Sequence, residues 1–493
     1  MKFLLDTNIF IAAEETTPPG PHPFADQATR LLELAAAGGH DVFLPAASRD
    51  DLSRDRDPDR TAARRLQIRK YKVLDPVPVP PSLAAAAGYV DPLSDNDRSD
   101  LDVLASLHAE SVDLLVTQDA DLVRHAERAG IGDRVLTITD AIDLLASQAR
   151  EPVRLPTLRE VKAYELAPDD PIFAPLRAEY GGFEPSFDDW MRKIRREHRP
   201  CLVLQAPDRS LDGVAILKME SDRPHGLPDL VLKLCTFRIA EQAVGVKRGE
   251  LLLRGVLEYA RQHEAKAIYV EVFDRHADVL GLLVRFGFEA MPASTSRGER
   301  VVVKPLRWSE ADRAGLAPLP FHVRYGPPAV KLGRAFVVPV EPRWHEALFP
   351  EIAGQQGLWP PGPPGNAMTK AYLCRAPTTQ VEVGATMLFY RSQDAQAITT
   401  VGVVDRAARD TLAARISALV GQRTVYDPGE VERMCAEGPP GVLAILFRWD
   451  RNVAPAWGLD VLVDRGVLRG APQSITEVTD TEGLRWLREQ LGA

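Results

Sequence analysis

Phe3-Leu4-Leu5-Asp6-Thr7-Asn8, at the head of a 493-residue chain, is a short apolar run that stops at an acid. Such a run closed by Asp-Thr-Asn has the form of a buried parallel strand followed by a turn. In open parallel sheets the ligand crevice lies beyond the carboxyl ends of the strands, which sets Asp6 at a reactive edge. The following residues keep a strand–helix alternation. A Pro-rich loop, Thr17 to Pro23, leads into a helical pattern over Ala25 to Ala37, and V-F-L-P within Asp41 to Pro45 is a second strand. Residues 94–105 open a helix, L-L-V-T-Q-D-A-D-L at 114–122 runs from strand to helix, and Val135 to Ile138 supplies a last strand. This alternation predicts a parallel, doubly wound sheet over residues 1–150.

Four acids, Asp6, Asp51, Asp100 and Asp119, fall at strand ends and helix starts of that pattern. If they converge they form an oxygen-only pocket, suited to Mg²⁺ or Mn²⁺. Without a cation, clustered carboxylates repel and raise one another's pKa. A divalent ion would acidify bound water and stabilise charge developing on a phosphate. Taken singly, each Asp is also an ordinary helix N-cap. The order and context (L-L-D-T-N at 4–8, Asp51 before Leu52, D-L-D-V-L-A at 100–105, V-T-Q-D-A-D-L at 116–122) resemble the PIN-domain nucleases over roughly residues 1–145. The resemblance implies Asp6, Asp51, Asp100 and Asp119 as catalytic acids. It implies Asp6, Asp100, Asp119 and Asp121 as metal ligands, with Thr7 or Asn8 as polar neighbour. Asp50 competes with Asp51 for its role, and Asp97 with Asp100.

Glu151 to Glu160 reads as a linker to a second domain over residues 155–308. It shows a helical stretch around Phe187 to Arg196 and strand patterns at 200–205, 213–219, 230–239 and 267–273. Between the last two lies A-E-Q-A-V-G-V-K-R-G-E-L-L-L, a Gly-containing loop running into an amphipathic helix. Backbone N–H groups at such a helix start can cradle a pyrophosphate, helped by the helix dipole and by Lys247 and Arg248. This order, closed by R-F-G-F-E at 285–289, resembles the Gcn5-related acetyltransferase (GNAT) fold. The resemblance implies acetyl-CoA as cofactor, with Gln242, Val244, Gly245, Val246, Lys247, Arg248, Gly249 and Glu250 around its pyrophosphate. Lys247 stands where that family has Gly or Ala, and Leu283 where it often has a tyrosine acid. Glu271 is a candidate base.

A Pro-rich passage, Ala317 to Pro328, separates a third segment, residues 330–493. Short β runs with turn residues between them, at 335–340, 371–376, 383–392, 397–405 and 442–449, predict a small mixed barrel with helices at its openings. V-G-A-T-M-L-F-Y-R-S followed by I-T-T-V-G-V-V-D resembles the PUA-like superfamily, ASCH and EVE domains included. That resemblance implies RNA binding or capture of a base through stacking and edge contacts. The candidates are Tyr372, Arg375, Tyr390, Arg391, Ser392, Arg423, Thr424, Tyr426, Gln473 and Ser474, aromatic and cationic groups beside polar turns.

The length is enough for roughly two to four domains. No apolar run approaches the roughly 20 residues of a membrane span, and Asp6 interrupts the start too early for a signal peptide. Cys201, Cys235, Cys374 and Cys435 form no C-x-x-C pair, so a reduced, cytoplasmic protein is expected. A net charge of −9 means that nucleic-acid binding must use local basic patches. The expectation is an α/β and α+β multidomain protein acting as a metal-dependent endoribonuclease on tRNA or rRNA. The alternative is an acetyl-CoA-dependent N-acetyltransferase acting on RNA, protein or a small amine, or a dual-activity toxin or defence effector. An antitoxin-like protein and a second copy of the chain are the expected protein partners.

Overall fold

The computed structural model describes the chain apart from residues 15–21, 23, 54–56, 91, 149–156, 181, 183–184, 206–209, 241–246, 354–362, 379 and 493. It forms two compact units: residues 1–151, 409–422 and 426–442, and residues 152–408, 423–425 and 443–493. The third segment of the sequence is thus divided between them.

In the first unit β1 (Lys2–Leu5), β2 (Asp41–Pro45), β3 (Lys72–Leu74), β4 (Leu114–Val116) and β5 (Val135–Leu136) form one sheet in the order β3-β2-β1-β4-β5. Every pairing is parallel. Side chains alternate across a strand, so β1 must bury both faces. Phe3 and Leu5 enter one core with Ile9, Phe10, Leu31 and Leu144, while Leu4 enters the other with Leu83, Val103, Leu104 and Leu122. The predicted doubly wound sheet is present. A helix far along the chain, Ala413–Val420, adds Ala418 to the first core. Its Arg415 pairs with Glu110 and, at 3.4 Å, with Asp410.

The second unit holds two mixed sheets. The first contains β6 (Thr157–Lys162), β7 (Pro200–Gln205), β8 (Leu211–Glu220), β9 (Val231–Ile239), β10 (Ala267–Val272), β11 (Glu289–Ser294) and β12 (Arg300–Pro305). Their order is β11-β12-β10-β9-β8-β7-β6, antiparallel except for the pair β9–β10. The expected linker therefore ends inside a strand. Helix Arg248–Gln262 buries Leu252, Leu253, Val256 and Leu257 on one face of the sheet. Helix Phe187–Arg196 buries Phe187, Met191 and Ile194 on the other.

The second mixed sheet comprises β13 (Ala335–Val340), β14 (Thr369–Cys374), β15 (Thr386–Arg391), β16 (Ala397–Asp410), β17 (Val442–Gly458) and β18 (Thr476–Glu477), in the order β14-β17-β16-β15-β13-β18. The barrel expected here is not closed: among the described residues β14 and β18 stay at opposite ends of the ladder. β18 offers only two residues, both paired to β13, too few to bridge the ends. Helix Thr481–Leu491 covers one face instead, through Leu487 and Leu491.

The Pro-rich passage read as a separator is also a structural element, the helix Pro318–Tyr325. Proline is tolerated in a first helical turn, and Phe321 and Tyr325, one turn apart, are both buried. The buried Lys304 of β12 donates to the carbonyls of Phe286, Val323 and Arg324 at 2.8, 2.9 and 3.1 Å. Gly287 makes this approach feasible. Its φ is +82°, and a Cβ there would lie 1.9 Å from the Val323 carbonyl oxygen. Gly287→Ala is expected to cost about 2–5 kcal/mol, combining left-handed strain with a backbone clash. Urea unfolding followed by circular dichroism measures it.

Candidate active site

The carboxyl ends of β1 and β4 bring the predicted acids into mutual electrostatic range. Asp6 follows β1 directly. Its Oδ1 accepts the Thr7 N–H at 2.6 Å, and its Oδ2 accepts from Asn8 Nδ2 at 2.7 Å and Thr117 Oγ1 at 2.6 Å. Thr117 Oγ1 in turn accepts the Asp119 N–H at 3.0 Å, tying the ends of the two strands together. Asp51, on helix Ala47–Ser53, accepts from Thr7 Oγ1 at 3.2 Å and Ser99 Oγ at 2.9 Å. Asp100, on helix Asp95–His108, faces the Tyr89 hydroxyl at 3.4 Å.

The electrostatics carry the signature of unneutralised acids. Burial, with the Asp119 and Asp51 charges adding to it, raises the pKa of Asp6 despite its hydrogen bonds. Asp100 is pushed up to about 6, by burial first and then by Asp6 and Asp119. Asn8 Oδ1 is buried with no hydrogen-bond partner. An all-oxygen donor set with excess negative charge and an orphaned amide oxygen fits a hard divalent cation in chemistry. Among the described residues, however, no three carboxylate, histidine or cysteine groups stand close enough to hold an ion as they are.

The competing acids separate. Asp97 is taken up in a capping box with Ser94, leaving Asp100 as the helix acid in range of Asp6. The side chain of Asp50 lies outside the described residues. Asp121 is largely exposed and paired with Arg124. Asp119 is a helix N-cap, its Oδ1 accepting the Asp121 and Leu122 N–H groups of helix Ala120–Arg128 at 2.7 and 3.2 Å, and its charge also reaches Asp6. The positioning hydroxyls Thr117, Ser99 and Tyr89 escaped the sequence reading. Only Thr117, two residues before Asp119 at a strand end, carried a local signal.

In the second unit Gln242, Val244, Gly245 and Val246 lie outside the described residues. Lys247 precedes the helix with a left-handed φ of +59°, the conformation a glycine takes freely. Arg248 pairs with Asp212 at 3.3 Å, and a Cβ at Gly249 would meet Leu282 Cδ2 at 3.2 Å. Glu250 is fully buried in the first helical turn. It accepts the N–H groups of Met368 and Thr369 at 2.8 and 3.2 Å and pairs with Arg423 at 3.0 Å. Burial alone would push its pKa up, but Arg423, Lys247 and Arg285 bring it down to about 2. Glu271 is also held below the usual range: burial raises it, and Lys233 at 2.7 Å and His225 at 2.8 Å overcome this. That makes it a weak base near neutrality. Leu283 is buried in the core.

The third-segment candidates do not gather on one surface. Tyr372 is buried and donates to the Pro339 carbonyl at 3.1 Å, and Tyr390 is buried in another core cluster. Arg391 pairs with Glu346 at 2.8 Å and with Asp394. Ser392 Oγ donates to the Val340 carbonyl at 3.1 Å. Arg423 is committed to Glu250 and to the Thr369 carbonyl at 2.8 Å, while Thr424 bridges to Ala371. Arg375 and Tyr426 are half-buried, and Gln473 and Ser474 exposed. All four cysteines are free, and among the described residues no helix is long and apolar enough to cross a membrane.

No family model matches the chain, and no curated protein matches it. Among solved structures it is similar to ASCH from Zymomonas mobilis, at 15% identity over 31% of this chain and 94% of that one, with a TM-score of 0.23. It is also similar to an acetyltransferase of the GNAT family from Staphylococcus aureus, at 14% identity over 31% of this chain and all (100%) of that one, with a TM-score of 0.25. At TM-scores this low the similarities carry no argument about activity or fold family.

Two outcomes follow from the charges. Asp100 has a folded pKa of about 6 against 3.8 for a free side chain, so its ionisation costs stability as pH rises through that window. Asp100→Asn should therefore stabilise the metal-free protein at neutral pH by roughly 1–2 kcal/mol, allowing for solvent screening. Thermal melts in EDTA should show the gain at pH 7 and its absence below the free-carboxylate pKa. Glu250 has the opposite sign, about 2 folded against 4.5. Its contribution, on the order of 3 kcal/mol, is complete above the free value and lost as pH falls towards the folded one. Glu250→Gln should flatten that acid limb in urea unfolding.

Proposed function

We propose that the first unit is a metal-dependent nuclease of PIN type that hydrolyses phosphodiesters in RNA. The observation that carries this reading is the half-buried Asp6 carboxylate at the end of β1, held by Thr117 and Asn8 and within range of the Asp51 and Asp119 charges. Asp6, Asp119 and Asp100 would hold Mg²⁺ or Mn²⁺, which when bound supplies an acidified water and neutralises charge on the phosphate. The chain's own residues do the rest. Thr117 fixes Asp6 and Asp119 in one orientation through a single hydroxyl. Thr7 and Ser99 hold Asp51 by its two oxygens, leaving its charge to polarise the site. Tyr89, stacked on His125 at 4.1 Å, contacts Asp100 from the far side.

A second reading, acyl transfer from acetyl-CoA, is supported by the seven-stranded sheet. The parallel pairing of β9 and β10 is confined to two residue pairs, Ile268–Leu232 and Tyr269–Lys233. Among the described residues the two strands do not pair with each other beyond them, and a gap between parallel strands suits the amide arm of a pantetheine. Glu250, already answered inside the protein, and Glu271, a weak base, count against it.

Labelled RNA and matched DNA, incubated with wild type and Asp6→Asn in Mg²⁺, Mn²⁺ or EDTA, separate the two. The expected result is discrete RNA fragments that need the metal and fall by about 10²-fold or more in Asp6→Asn. No cleavage under any condition, beside acetyl-CoA binding in calorimetry, would transfer the activity to the second unit.

A further inference from the structure

The helix Phe187–Arg196 has a buried apolar stripe, and its opposite side gathers charge out of character with the chain. A groove of about 760 Å³ is lined by Asp189, Arg192, Lys193, Arg195, Arg196 and His198. Four cations against one acid give +3 with histidine neutral, in a chain whose net charge is −9. Arg192 pairs with Asp189, Lys193 approaches Glu197 at only 3.9 Å, and Arg195 donates to the Leu166 carbonyl. Arg192 and Lys193 nevertheless keep 70% and 57% of their side chains in solvent. Arg192 and Arg196 stand one helical turn apart, about 6 Å along the axis.

An aromatic group flanks these cations. His198 has a φ of +52°. Its ring meets Tyr164 edge-on, with centroids 5.1 Å apart, and Tyr164 is 49% exposed. A half-exposed tyrosine packed on a histidine that lines a cationic groove offers the pairing that grips a single-stranded nucleic acid, cations on the backbone and a ring under a base. An acidic peptide would use the charges but not the ring, and a duplex keeps its bases stacked away from it. We infer that this groove binds single-stranded nucleic acid through its phosphates, with Tyr164 as the stacking platform. The inference deepens the nuclease reading and rests on it for the substrate class.

The test uses the full chain carrying Asp6→Asn, in EDTA, so that binding is read without cleavage. Fluorescence anisotropy with a short oligouridylate, the matching oligodeoxythymidylate, a duplex and polyglutamate, each over a salt series, provides the readout. Combining Arg192→Glu, Lys193→Glu and Arg196→Glu should weaken single-strand binding roughly ten-fold or more. It should also lower the slope of log affinity against log salt by about 2, three contacts at about 0.7 each. Tyr164→Ala should weaken binding roughly five-fold or more with the slope unchanged. Tighter binding of RNA than of DNA would name the natural strand. Unchanged affinity in the triple variant, or polyglutamate binding as well as oligouridylate, would overturn the groove. The nuclease reading fails separately: binding that depends on the groove, with no cleavage by the wild type in metal, sinks that reading alone.

Discussion

A carboxylate stripped of water must be answered inside the protein, and the second unit is built around one such answer. Glu250 sits in the first turn of the helix that backs the seven-stranded sheet, where the helix dipole already favours an anion. Its remaining partners, the Met368 and Thr369 amides and the Arg423 guanidinium, come from the six-stranded sheet and its connections. Removing one member of such a buried pair strands the other at high cost, so the pair constrains how the two sheets can meet. Met368 then enters the core of the seven-stranded sheet. Lys304, answered by three carbonyls, ties the seven-stranded sheet to the helix Pro318–Tyr325.

The first unit handles its acids in the opposite way. Asp6 and Asp100 are met by hydroxyl and amide groups rather than by a cationic side chain, and both are raised where Glu250 is lowered. One protein therefore keeps a buried carboxyl at about 2 and a half-buried one at about 6. The first arrangement is what a structural ion pair produces. The second holds repulsion in place, which structural roles rarely require and functional sites commonly do.

Local pattern made the regular elements legible. Helix Ala25–Ala37 and strand Asp41–Pro45 stand at the predicted bounds, and Asp6 stands at the predicted strand end. The order of the acids along the chain indicated that they come within range of one another's charge, not that they close into a ready-made ligand set. What failed depends on distant partners. Tyr372, Tyr390 and Arg423 look like surface-reading groups because aromatic and cationic types beside turns serve that purpose, but burial depends on the whole sheet. Arg423 meets an acid 173 residues away, beyond the reach of any periodicity. The open edge of the six-stranded sheet was hidden for a related reason: short β runs announce strands, not whether the last one is long enough to close a ring. Prolines at 318, 320, 327 and 328 suggested a break, while Phe321 and Tyr325 one turn apart held the helix signal.

The excursion between β16 and β17 bears on how this gene could have been assembled or taken apart. The chain passes from one unit to the other after residues 151, 408, 422, 425 and 442. A coding fragment ending near residue 150 would thus omit Ala418 and Arg415, which the first unit uses in its core and at its rim. Recombination could not exchange that unit as a cassette, nor could a single protease cut release it whole. The carboxylate site and the two mixed sheets are inherited together.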